Sequence, residues 1–169
     1  MSKNKDTFNF IDLFAGCGGM SLGLENAGFE PVYVNELNPD ALETYMMNRR
    51  DYYQDLEHFK SNNIKELVGN KGDGLKILKQ QFKKYEIDPD QVDLIVGGPP
   101  CQGYSGIGHR RLHSVEKLDI PANKLYKDMA RVIEFFQPRI FLFENVKGLL
   151  SARWRKNGFK GEIFKDVLK

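Results

Sequence analysis

The feature that most restricts the fold is an alternation of short apolar runs and helical segments. Phe8 to Leu13 (FNFIDL), Pro31 to Asn35 (PVYVN), Asp93 to Val96 (DLIV) and Ile140 to Phe143 (IFLF) are each too short for a buried helix and end at a turn or a carboxylate. They read as buried strands. Between them lie helical patterns: Ser21 to Ala27 closed by Gly28, a segment capped by Asn38 with Pro39 at its first position, Leu75 to Tyr85, and Lys127 to Phe136 stopped before Pro138. Strand and helix in turn specify an α/β fold, with a mostly parallel sheet covered on both faces. Ligands of such sheets sit beyond the carboxyl ends of the strands. Residues 64–68 fit either a third strand or a helix start. Gly69 to Gly74 (GNKGDG) reads as a loop, and Gly103 to Asn123 as a long loop of the kind that usually serves function.

Four strand ends carry chemistry. After the first comes DLFAGCGGMSLG, where Gly16, Gly18 and Gly19 let a ligand approach the backbone and a helix N-terminus offers free N–H groups. Its spacing departs from G-x-G-x-x-G, which argues against a nicotinamide dinucleotide; a bare tight turn remains open. Glu36 follows the second strand, where a carboxylate accepts hydrogen bonds from ribose hydroxyls or simply favours a helix start. GGPPCQGYS places Cys101 behind Pro99 and Pro100, whose fixed backbone angles make a rigid mount for a nucleophile. Buried structural cysteine is the competing role. Glu144 follows four apolar residues, so partial burial and a raised pKa are expected, alongside a possible cap or ion-pair role.

Charge and cysteine usage narrow the setting. The net charge of +2 does not by itself point to nucleic acid, but the basic residues cluster, in His109-Arg110-Arg111 and from Lys147 onward. Such clusters are either a solvated face or phosphate contacts. Cys17 and Cys101 are too few for a disulfide framework or a zinc site, so both are expected as free thiols and no metal is expected. No apolar run is long enough to span a bilayer and the N-terminus has no secretory pattern; the expected location is cytoplasmic, with no membrane partner.

At these residues the chain resembles the DNA (cytosine-5) methyltransferase family. DLFAGCGGMSLG resembles its first motif, GGPPCQGYS its nucleophile motif, ENV its glutamate motif and NKLYKDMARVI the helix between them, in family order from Ile11 to Val146. The resemblance implies a Rossmann-like class I methyltransferase fold, S-adenosyl-L-methionine as cofactor with S-adenosyl-L-homocysteine as product, and duplex DNA as partner. It implies Cys101 as nucleophile and Glu144 as the group holding the target base. Cofactor contacts are implied at Phe14, Gly16, Gly18, Gly19, Glu36, Leu37, Pro100 and Leu125. Asn63 stands where the family usually has an aspartate before an isoleucine, here Ile64, and its amide oxygen retains the acceptor. Gln102, Ser105, Arg110 and Arg111 become candidate DNA contacts.

The expected organisation is an incomplete catalytic domain over residues 1–150 and a basic tail over 151–169. After Val146 no Gln-x-Arg-x-Arg motif or target-recognition region follows, so the sheet is expected to show an exposed edge. A portion of a longer protein is favoured over one subunit of a split enzyme with a complementary C-terminal partner, or a degenerate remnant. The implied activity is that of a bacterial modification methylase in a restriction-modification system. A transfer RNA cytosine-5 methyltransferase and a non-catalytic S-adenosylmethionine-binding subunit are the alternatives.

Overall fold

The computed structural model describes residues 7–100 and 120–169. Five strands and five α-helices follow one another as β1 (Phe8–Leu13), α1 (Gly19–Asn26), β2 (Phe29–Asn35), α2 (Pro39–Met47), β3 (Lys60–Ser61), α3 (Ile64–Lys84), β4 (Leu94–Gly97), α4 (Tyr126–Phe136), β5 (Ile140–Phe143) and α5 (Glu162–Val167). All described strand pairs are parallel, in the order β3-β2-β1-β4-β5. The chain begins mid-sheet, winds outward through β2 and β3, and crosses back to add β4 and β5 on the other side. The reversal lies between β1 and β4, where open α/β sheets form their binding crevice.

Strand periodicity sorts the core onto two faces. Ile11, Leu13, Val34 and Ile95 belong to a large cluster with Tyr45, Leu78, Phe82, Met129 and Phe136. Phe10, Leu94 and Val96 form a second cluster, against Met20, Leu24 and Phe29. Central strands buried on both faces explain why β4 reads as an unbroken apolar run.

The alternation expected from sequence is present, with four differences. β2 starts at Phe29 rather than Pro31, and its register with β1 slips between Phe10 and Ile11. Pro31 pairs with Phe10 just before the slip and has no N–H to continue the ladder. The third strand is Lys60–Ser61, too short and polar to stand out in sequence, and residues 64–68 open α3 instead.

Helical structure also continues through Gly69 to Gly74. A Cβ on Gly74 would nonetheless lie 2.6 Å from the carbonyl oxygens of Glu66 and Leu67. Residues eight positions apart in a straight helix are separated by about 12 Å. The helix therefore turns sharply at this glycine-rich stretch, where the sequence suggests a loop. The last difference is the basic tail, which is folded. A 3-10 turn at Lys147–Ser151 and α5 enclose Leu149, Ala152 and Ile163. Trp154 closes this cluster and donates from Nε1 to Asp166 at 2.7 Å.

β5 pairs with β4 alone among the described residues. Ile140, Phe141 and Leu142 are 65%, 58% and 46% exposed, the open apolar edge expected from sequence.

Candidate functional site

Sheet register lines up the chemically distinctive residues. Asn35 pairs with Leu13, Leu13 with Gly97, and Gly97 with Phe143. The next residues along each strand are Glu36, Phe14, Gly98 and Glu144, so four motifs distant in sequence share one rim of the sheet.

At one end of the rim the Glu36 carboxylate braces the glycine-rich turn. Its Oε2 accepts the Gly16 N–H at 2.8 Å, and its Oε1 accepts the Asn38 N–H at 2.7 Å. Asn38 caps α2 by accepting from Asp40 and Ala41, with Pro39 following as expected. Phe14 holds a positive φ of 58° in the turn, a conformation that costs a residue with a Cβ roughly 1–2 kcal/mol. The Ala15 N–H donates to Asn35 and the Gly18 N–H to Ala15, each at 3.0 Å, and these bonds hold the strained backbone.

The glycines of the turn serve different ends. A Cβ at Gly16 or Gly19 meets none of the described residues within 4 Å, so among them the space before the turn is open. At Gly18, with φ +89°, a Cβ would lie 2.6 Å from Arg49 Nη1 and 2.7 Å from Tyr45 Cδ2. Gly18 is required by what packs behind it.

The remaining predicted cofactor positions are distributed unevenly. Leu37 is 67% exposed beside Glu36. Phe14 and Leu125 are half-buried and pack on the same core cluster. Pro100 is half-buried. Asn63 Oδ1 caps α3 by accepting the Lys65 N–H at 3.0 Å, while Ile64 is 3% exposed within the core.

At the other end of the rim, the segments following β4 and β5 are tied together. Glu144 N–H donates to Gly97 O at 3.0 Å, and Asn145 Nδ2 donates to Pro99 O at 3.1 Å. A Cβ on Gly98 would stand 3.0 Å from Glu144 Oε2. Glu144 is exposed, contrary to the burial expected from its apolar approach. The reason is its place just after β5, whose outer side carries no neighbouring strand among the described residues. Cys101, Gln102, Ser105, Arg110 and Arg111 lie outside the described residues. Cys17 is a free, exposed thiol.

Sequence reading missed a buried polar network directly behind the turn. Ser21 donates from Oγ to Asp12 Oδ2 at 2.5 Å and shares a 2.7 Å hydrogen bond with the Tyr45 hydroxyl. Asp12 is 1% exposed, and its Oδ1 has no hydrogen-bond partner among the described residues. Burial pushes its pKa up to about 7, against the opposing pull of Ser21 and Arg49. Arg49, 3% exposed, donates to Glu25 Oε1 at 2.6 Å, Tyr45 O at 3.1 Å and Gly18 O at 3.0 Å. An aspartate inside FNFIDL is the one sequence signal for this network; its partners have no shared spacing.

The family model for C-5 cytosine-specific DNA methylases matches residues 8–168. The chain belongs to this family. Among its relatives, the Type II methyltransferase M.AgeI of Thalassovita gelatinovora is 37% identical, over 83% of this chain and 28% of that protein. M.FnuDI of Fusobacterium nucleatum is 35% identical, over 94% of this chain and 36% of its own length. The chain thus spans about a third of the length of these curated relatives. A solved structure of a candidate DNA modification methyltransferase from an E. coli prophage superposes with TM-score 0.66 and 29% identity, over 96% of this chain and 37% of that one. The S. pombe Dnmt2 methyltransferase superposes with TM-score 0.52 at 17% identity, over 96% and 40%, a likeness of fold. This member of the family therefore has a parallel sheet whose carboxyl rim carries Phe14, Glu36, Gly98 and Glu144. No described helix is long and apolar enough to cross a membrane.

Proposed function

We propose that this chain is the cofactor-binding and catalytic front of an enzyme that methylates C5 of cytosine in duplex DNA. The observation that carries the reading is the shared rim, with the Glu36-braced turn at one end and the joined β4 and β5 exits at the other. Family membership supports the reaction class.

The residues fit S-adenosyl-L-methionine. Among the described residues, open space stands over Gly16 and Gly19, Glu36 offers a fixed, half-exposed carboxylate beside it, and Leu37 presents an apolar side chain to solvent. Glu36 would accept the ribose hydroxyls with lone pairs that Gly16 and Asn38 leave over. Phe14, Leu37, Pro100 and Leu125 would supply apolar contacts, and Ile64 would support them from the core. Asn63 already spends one acceptor position on α3, so its contact with an adenine amino group would use the other. When bound, the cofactor supplies an electrophilic methyl group.

Cytosine C5 is too weak a nucleophile to take that methyl group unaided. The Cys101 thiolate adds to C6, and electron density moves to C5. Glu144 holds the target base through N3 as that charge develops. After C5 gains the methyl group and loses its proton, the C6–S bond breaks and the thiolate is restored. A stacked base is out of reach of both residues, so the target must be flipped out. Gln102, Ser105, Arg110 and Arg111 are the candidates to hold the opened duplex.

The test is transfer of labelled methyl from S-adenosylmethionine to duplex DNA and, separately, to transfer RNA. It compares the chain alone with the chain completed by the portion its relatives carry beyond it. Label on DNA is expected with the completed chain. Label on transfer RNA alone would replace the substrate, and binding of the cofactor without transfer to either would favour a non-catalytic subunit.

A further inference from the structure

Arg49 lies outside every motif discussed above, yet it is the most deeply engaged cation among the described residues. Its guanidinium stacks 3.9 Å over the Tyr45 ring and pairs with Glu25 of α1 at 2.6 Å. Nη2 reaches 31 positions back in sequence to the carbonyl of Gly18 at 3.0 Å. That carbonyl also accepts the first hydrogen bond of α1, from Leu22 N at 3.0 Å. Both acceptor positions of Gly18 are filled, one by the helix and one by a residue just beyond α2.

We propose that Arg49 is a positioning residue that locks the glycine-rich turn in its cofactor-receiving shape. The inference rests on the reading of that turn as an S-adenosylmethionine site, and adds a residue to which that reading assigns no role. The turn is under opposing demands. Phe14, Gly16 and Gly18 all hold positive φ, and no described residue comes within 4 Å of a Cβ placed on Gly16 or Gly19. Among the described residues, the contacts that hold its shape come from behind. Glu36 fixes it at Gly16 and Arg49 fixes it at Gly18. The planar guanidinium suits this place because its fork reaches Glu25, Tyr45 O and Gly18 O at once while its face lies on Tyr45. A lysine has charge but no fork, and no flat face to stack.

Hydrogen exchange and calorimetry on the full chain test this, using S-adenosylhomocysteine as ligand. In Arg49→Met, the unliganded chain is expected to show faster exchange at Gly16, Gly18 and Gly19, with β4 amides unchanged, and about tenfold weaker binding. Arg49→Lys is expected to move the same way by a smaller amount, and it carries the test if the methionine variant does not fold. Leu149→Ala, in the separate C-terminal cluster, controls for lost stability and is expected to leave binding unchanged. Unchanged exchange in the turn in both Arg49 variants overturns the proposal. So does a loss of binding that Leu149→Ala reproduces at equal stability. If the unmodified chain binds no ligand, the cofactor reading fails, while exchange at the turn still decides the role of Arg49.

Discussion

Gly98 faces Glu144 so closely that a methyl group on its Cα would stand 3.0 Å from the glutamate Oε2. The two residues come from neighbouring strand exits, 46 positions apart, and Asn145 ties the same exits through Pro99. A residue without a side chain at position 98 thus leaves the Glu144 carboxyl its place on the rim.

Gly98→Ala follows directly from this contact. Glu144 is exposed and free to move aside, so the fold is expected to lose less than about 1 kcal/mol. Displacing a carboxyl that must meet the target base is expected to lower methyl transfer by the completed chain tenfold or more, roughly. S-adenosylhomocysteine affinity, measured in parallel, is expected to be unchanged.

Glu36→Gln separates binding from folding. The carboxylate accepts from both Gly16 and Asn38, and the amide can accept at one oxygen only. Calorimetry is expected to show S-adenosylhomocysteine bound at least about tenfold more weakly, with a stability loss of about 1–2 kcal/mol by denaturant melts.

Cys101→Ser is expected to abolish methyl transfer in the completed chain while cofactor affinity stays within about twofold. A serine hydroxyl is little ionised near neutral pH and adds poorly to a pyrimidine. Equal loss of transfer and of binding would make the cysteine structural.

Asp12 makes stability depend on pH with a definite sign. Its carboxyl is pushed from 3.8 to about 7 in the folded chain. Between these values the native state binds the proton and the unfolded state does not, so stability falls as pH rises. Its contribution is complete below about pH 4 and is lost through about pH 7. Asp12→Asn removes that titration. The difference in unfolding free energy between the two proteins is expected to change by up to about 4 kcal/mol from pH 4 to pH 8. A constant difference across that range would mean Asp12 ionises normally.

The open edge of β5 predicts self-association. Phe141, 58% exposed, lies on a strand that has one unpaired side among the described residues. Phe141→Lys is expected to reduce light scattering by the isolated chain without lowering its melting temperature.

Much of the rim was legible before any coordinates. The runs FNFIDL, DLIV and IFLF are local signals, as are the glycine-rich turn, the Gly-Gly-Pro-Pro stretch after β4 and the acids that follow their strands. Each is set by backbone preference and side-chain chemistry within a few residues. The third strand was not legible, because two polar residues make a strand only by pairing with β2. Nor was the fold of the segment from Lys147 onward, whose small core appears only when Trp154 meets Asp166 and Leu149 meets Ile163.

The sequence by itself determined four of the five strands, most of the helices between them and the chemical groups at their ends, since hydrophobic period, caps and turn residues act over short range. Only the tertiary structure decided the order β3-β2-β1-β4-β5, which sets Glu36, Phe14, Gly98 and Glu144 side by side. It also decided that Arg49 reaches Gly18, that Asp12 is buried and that Glu144 is not. These outcomes depend on which surfaces pack together across tens of residues, and no local pattern encodes such a contact.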